Sequence, residues 1–139
     1  MSCILRAFGK EFDVNNYVKN KDFEFTNIYK KGEPRFSSPK LKNKINKYSG
    51  VGIKVSFADM NEFKQQLDDA LIFFKEHETL IKELVQFKGV ESVNLDFGVE
   101  TKPPFWSSYT IPPELSFIVG KLGVSVCVST YPNDDENET

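Results

Sequence analysis

Val51-Gly52-Ile53-Lys54-Val55-Ser56-Phe57 places its apolar residues on every second position. That period belongs to a strand with one face in a core. Downstream, Phe63, Leu67, Ala70, Leu71 and Phe74 recur at helical spacing, and Leu80, Ile81 and Leu84 extend the stripe. Asp59, with Glu62 three residues on, is a capping-box variant that opens this helix, and Gly89 is a C′ stop. His77-Glu78-Thr79 interrupts the stripe, which leaves one kinked helix or two short ones. Val93, Leu95, Phe97 and Val99 then alternate with Ser92, Asn94 and Asp96 facing away, so a strand, helix and strand follow one another.

Toward the N-terminus, residues 3–8 read as a first strand ending at Gly9. Asp13 caps a short helix through Asn20 that buries Val14, Tyr17 and Val18. Residues 23–29 read as a second strand running into the turn Lys31-Gly32-Glu33-Pro34, and residues 35–49 as a long, basic, exposed loop. Toward the C-terminus, residues 102–109 form a proline-rich aromatic loop. Pro112 and Pro113 start a helix with Glu114 in its first turn, Gly123 closes it, and residues 124–131 form the last strand. The order is β-α-β-β-α-β-α-β. It predicts an α+β fold, a ferredoxin-like βαββαβ sandwich with an appended αβ unit, with a mostly antiparallel sheet and helices on one face. Residues 1–132 are expected to form a single domain, and 133–139 a disordered acidic tail.

The 139 residues are 40% apolar and include thirteen Phe, enough for one aromatic-rich core. The opening residues lack a signal-peptide pattern, and apolar runs such as Ala70-Leu71-Ile72-Phe73-Phe74 are far too short to span a membrane, so a cytoplasmic protein is expected. Cys3 and Cys127, in strand-like runs, read as reduced, buried thiols. Charge is unevenly divided. Residues 1–57 hold twelve Lys/Arg against five Asp/Glu, and residues 58–139 hold six against fifteen, a contrast hidden by the net charge of −2. Such a division bears on partners rather than on fold.

Chemistry-bearing patterns are sparse, and no catalytic residue, cofactor site or metal site is assigned. His77, the only histidine, has no partner in sequence for general-base work and reads as a surface or helix-end residue. One His and two distant Cys do not make a zinc site. Asp96-Phe97-Gly98 spells a kinase tripeptide without the loops that give it meaning, and no phosphate-binding glycine loop occurs. Lys30, Lys31, Arg35, Lys40, Lys42, Lys44 and Lys47, with Phe36 and Tyr48 among them, suit a nucleic-acid backbone. The pI of about 5.5 and the absence of a Lys/Arg-Gly-aromatic motif on the central strands count against that use. Phe105, Trp106 and Tyr109, bracketed by prolines, are equally suited to an interface and to closing the end of the core.

Ser2-Cys3-Ile4-Leu5-Arg6 with Gly9, Tyr29-Lys30-Lys31-Gly32-Glu33-Pro34, Leu95-Asp96-Phe97-Gly98, Pro112-Pro113-Glu114-Leu115 and Ser129-Thr130-Tyr131-Pro132 together carry a resemblance. By these segments the chain resembles small bacterial immunity-like proteins, which are made beside a toxin in competition systems. The resemblance implies a non-enzymatic protein that neutralises a cognate toxin, and it transfers no functional residue. On that reading the acidic helical segment 59–88 covers a basic toxin surface, with Asp68, Asp69, Glu76, Glu78 and Glu83 as contacts and Trp106 as an apolar anchor. Two alternatives stand beside it. One is a small enzyme or ligand-binding module using Asn94, Asp96, Ser125 and Ser129 on the open sheet face; the other is RNA binding through residues 30–48.

Overall fold

The alternating stretches pair around the N-terminal strand. In the computed structural model, which describes residues 2–19, 21–35, 44–104 and 107–132, five strands form one open sheet. They are β1 (Cys3–Gly9), β2 (Asn27–Tyr29), β3 (Ser49–Ser56), β4 (Ser92–Thr101) and β5 (Ser125–Pro132), in the order β2-β3-β1-β4-β5. β1 is central and antiparallel to both neighbours, which sets Leu5 against Ile53 and Leu95, and Ala7 against Val51 and Val93. β2 is antiparallel to β3, whereas β5 lies parallel to β4, so the sheet is mixed.

Among the described residues, four helices complete the fold: α1 (Val14–Lys19), α2 (Phe63–Glu76), α3 (Glu78–Gln86) and α4 (Pro113–Lys121). Leu67, Ala70 and Phe74 of α2, Ile81 and Leu84 of α3, and Leu115 and Val119 of α4 join Leu5, Ile53 and Leu95 in one core. Burying such a set removes its apolar area from water, and a side chain like Phe74 contributes roughly 2–3 kcal/mol. Among the described residues, no helix is long and apolar enough to cross a membrane.

Local signals explain most element ends. The Asp13 carboxylate accepts the Asn16 N–H at 3.2 Å and opens α1. Pro113 stands in the first turn of α4 with Glu114, and Gly123 leaves the helix at φ +81. The long helical stripe is two helices: His77 lies between them, half-buried, its ring 4.6 Å from that of Phe73 and 5.4 Å from Phe23. The capping box forms only in part. The Glu62 carboxylate accepts the Asp59 N–H at 3.0 Å, no side chain caps the Glu62 end, and α2 starts at Phe63. Gly89 sits at φ +92 in a turn after α3 rather than at its C′ position, with its backbone against that of Glu11.

Several expectations need correction. The second strand is three residues long, because Phe23 and Phe25 turn into an aromatic cluster with Phe73, His77 and Tyr17. Of residues 35–49, the described residues 35 and 44–49 are not loop throughout. Arg35 donates its N–H to Lys44 and Asn46 to Glu33, forming the base of an antiparallel arm, and Ser49 belongs to β3. Phe57, the last member of the alternating set, is 84% exposed just past the end of β3. Cys127 is exposed because β5 is an edge strand, whereas Cys3 is fully buried, and burial pushes its thiol up to about 12. Asn20, Phe36, Lys40, Lys42, Phe105, Trp106 and the acidic tail 133–139 lie outside the described residues.

Candidate functional site

The exposed Phe57 organises the surface that stands out. Its backbone is held on both sides. Ser56 Oγ accepts the Ala58 N–H at 3.1 Å and donates to the Asp69 carboxylate at 2.6 Å, while Ser2 Oγ donates to the Ala58 carbonyl. Lys54 Nζ lies 4.1 Å from the ring centroid, a cation–π contact that steadies the exposed ring. Phe57 is therefore a ridge between two hollows. One, of about 270 Å³, is lined by Val55, Asp69, Ile72, Phe73 and Glu76; the other, of about 450 Å³, by Ser2, Asp59, Met60, Asn61 and Glu100. Ile72 adds a second exposed apolar side chain, at 54%.

The charges around the ridge are mostly of one sign. Asp59, Asp69, Glu76 and Glu100 border the two hollows, opposed by Lys54. None of these four carboxylates makes an ion pair among the described residues; Asp69 is held by Ser56 and by Gln65 Nε2 at 2.8 Å. The other predicted acidic contacts differ. Asp68 pairs with Lys64 at 3.7 Å, Glu78 with Lys121 at 3.3 Å and Glu83 with Lys21 at 2.9 Å. The structure thus gathers Asp69 and Glu76 beside Phe57 and sends Glu78 toward α4 and Glu83 toward Lys21, just past α1. Trp106 lies outside the described residues. Sequence reasoning missed Phe57, Asp59 and Glu100. The one available signal was that Phe57 directly precedes a helix-capping segment, where a strand has already ended.

The open sheet face carries a polar row that is largely satisfied within itself. Arg6 pairs with Asp96, whose other oxygen accepts Ser129 Oγ at 2.6 Å, and Ser125 Oγ donates to the Val93 carbonyl at 3.3 Å. Asn94 Oδ1 is buried without a partner among the described residues. Tyr29 lies across Gly50, where a Cβ would collide with its ring; burial raises its phenol pKa, and nearby Arg6 partly opposes the rise. The hollows beside Phe57, and a third of about 830 Å³ between β2 and the basic arm, are lined by other residues than Asn94, Asp96, Ser125 and Ser129. Among the described residues no group of three or more His, Cys, Asp or Glu is arranged to hold a metal ion.

In the arm, Arg35, Lys44 and Lys47 border the third hollow together with Tyr29 and Tyr48, and Lys31 sits 3.8 Å from Glu11. Comparison with protein-family models, with curated proteins and with solved structures gives no match.

Proposed function

We propose that this chain is a non-enzymatic binding protein, an immunity protein that neutralises a cognate toxin in the cytoplasm by direct contact. Its fold on this proposal is the ferredoxin-like plan with an added αβ unit, a reading supported by the antiparallel order β2-β3-β1-β4 with β5 appended beyond it. The observation that carries the function is the Phe57 ridge. An 84% exposed aromatic flanked by Ile72 and rimmed by carboxylates without ion pairs among the described residues has the apolar centre and charged margin of a protein interface. The rim selects a basic partner surface, such as the cleft of a toxin that attacks nucleic acid, and speeds the encounter. Trp106 remains in the proposal as a second apolar anchor.

The proposal requires a toxin domain encoded beside this chain, and the experiment is co-expression with that domain. The wild type should restore growth, while Phe57→Ala combined with Glu76→Lys should not, although both proteins accumulate as folded material. Failure of the wild type to protect, or equal protection by the double variant, overturns the proposal.

A further inference from the structure

The two edges of the sheet are guarded unequally. β2 is three residues long and leads into an arm carrying Lys30, Lys31, Pro34, Arg35 and Lys44, the charge and proline that discourage strand addition. β5, at the other edge, reads Ser125-Val126-Cys127-Val128-Ser129-Thr130-Tyr131-Pro132: eight residues without one charge. Val126 and Tyr131 are both exposed on it.

The register tells which backbone groups of β5 are free. The Gly98 N–H bonds to the Ser2 carbonyl on the β1 side, so even-numbered residues of β4 turn toward β1 and odd-numbered ones toward β5. In the parallel ladder Leu95 stands opposite Val126 and bonds to the residues on either side of it. Ser125, Cys127, Ser129 and Tyr131 therefore turn inward, in agreement with the Thr101 hydroxyl donating to the Tyr131 carbonyl at 3.2 Å. Val126, Val128 and Thr130 point N–H and C=O outward, with no partner among the described residues. The free edge is sharply bounded: Pro132 has no N–H, and the Val124 N–H is already bonded to Val119 at 2.9 Å.

We propose that this edge pairs with β5 of a second copy of the chain, antiparallel, about a two-fold axis through Val128. In that register Val128 faces its own counterpart and Val126 faces the second copy's Thr130, so every outward donor and acceptor of these three residues is satisfied. Pro132 then lies opposite the second copy's Val124, and neither brings an unbonded N–H. A self-complementary patch of this kind is what a two-fold interface requires. A charge-free strand sets no like charges against each other when it meets itself, and the facing β-branched side chains favour strand pairing. On α4, Glu114 and Lys121 turn to Lys75 and Glu78, which leaves the small Ser116 and Gly120 on the opposite flank. The product is a continuous ten-stranded sheet with the Phe57 ridge uncovered.

Sedimentation equilibrium combined with amide exchange tests the pairing on the full chain. A concentration-dependent dimer is expected, in which the amides of Val126, Val128 and Thr130 exchange at least about tenfold faster on dilution, while those of Cys127 and Ser129 do not change. Val128→Pro removes one outward N–H without touching a bond to β4, so a folded monomer is expected. If that variant does not fold, the exchange pattern of the wild type decides. A monomer at every attainable concentration, or a dimer in which the three amides exchange freely, overturns the proposal.

Discussion

Tyr17→Phe should stabilise this protein, and more so at alkaline pH. Tyr17 is 1% exposed, with its ring edge-on to Phe12, Phe25 and Phe87 at 5.8, 5.9 and 5.1 Å. Phenylalanine keeps these contacts, as well as the approach of Lys21 Nζ at 5.2 Å from the ring. What it removes is a hydroxyl that has no hydrogen-bond partner among the described residues. A buried, unsatisfied hydroxyl costs about 1–3 kcal/mol, so a gain of about 1 kcal/mol is expected at neutral pH. Burial, with a smaller contribution from the Glu83 charge, pushes the phenol from 10.0 up to about 12. Because the folded-state value is the higher one, the unfolded chain loses its proton first as pH rises past 10. The wild type therefore loses stability between the two values, and the loss stops growing above about 12.

Near pH 11 this amounts to about 1.4 kcal/mol per unit of pH above the unfolded value, reduced toward about 1 by solvent screening near the surface carboxylate. The variant escapes that loss, so the gap between the two proteins should roughly double between neutral pH and about pH 11. Cys3 also resists ionisation, but equally in both proteins, and cancels in the comparison. Urea unfolding of both proteins at the two pH values measures the gap. A variant less stable than the wild type at neutral pH, or a gap that does not widen, would show that the hydroxyl has a partner and refute the reasoning.

Other perturbations separate the remaining parts of the account. A Cβ at Gly89 would overlap the Glu11 carbonyl, at φ +92, whereas one at Gly32, at φ +88, meets nothing within 4 Å. Gly32→Ala should therefore cost about 1 kcal/mol for its backbone conformation, and Gly89→Ala about 3 kcal/mol or more, both read from chemical denaturation. Asp96→Ala removes the acceptor of both Arg6 and Ser129, but Arg6 is half-exposed and regains water. A loss of about 1 kcal/mol is expected, and no change would mean the row is ornamental to stability. Glu76→Lys should slow association with the proposed toxin partner and flatten its salt dependence, while Glu83→Lys, at a carboxylate already paired with Lys21, should alter the rate far less.

How far the fold could be read depends on which force positions each residue. β4 was legible because Val93, Leu95, Phe97 and Val99 all face one core, and alternation records that directly. β3 showed the same period, but its other face is crowded as well: Gly50 lies under Tyr29, and Gly52 packs against Asn27 and Ile4, contacts that strand periodicity does not encode. β2 was overcalled since Phe23 and Phe25 have strand-like character, yet the pocket made by Phe73, His77 and Tyr17 claims them first. The pairing of residues 33–35 with 44–46 has no apolar pattern, because it rests on the backbone bonds Arg35 to Lys44 and Asn46 to Glu33 and on the Asn46 side chain donating to the Lys30 carbonyl at 3.1 Å. The acidic residues of α2 and α3 looked like one face in sequence. The segment after α1 and helix α4 supply Lys21 and Lys121 as partners and leave only Asp69 and Glu76 near Phe57, a selection that depends on tertiary contacts.

The most direct measurement is the affinity of the proposed toxin partner for Phe57→Ala relative to the wild type, by titration calorimetry at one fixed salt concentration. Because Phe57 is 84% exposed, the variant should unfold within about 0.5 kcal/mol of the wild type. As an interface anchor, the ring should carry about 2 kcal/mol or more of binding, a loss of roughly thirtyfold in affinity. Unchanged affinity in a folded Phe57→Ala protein would contradict the account.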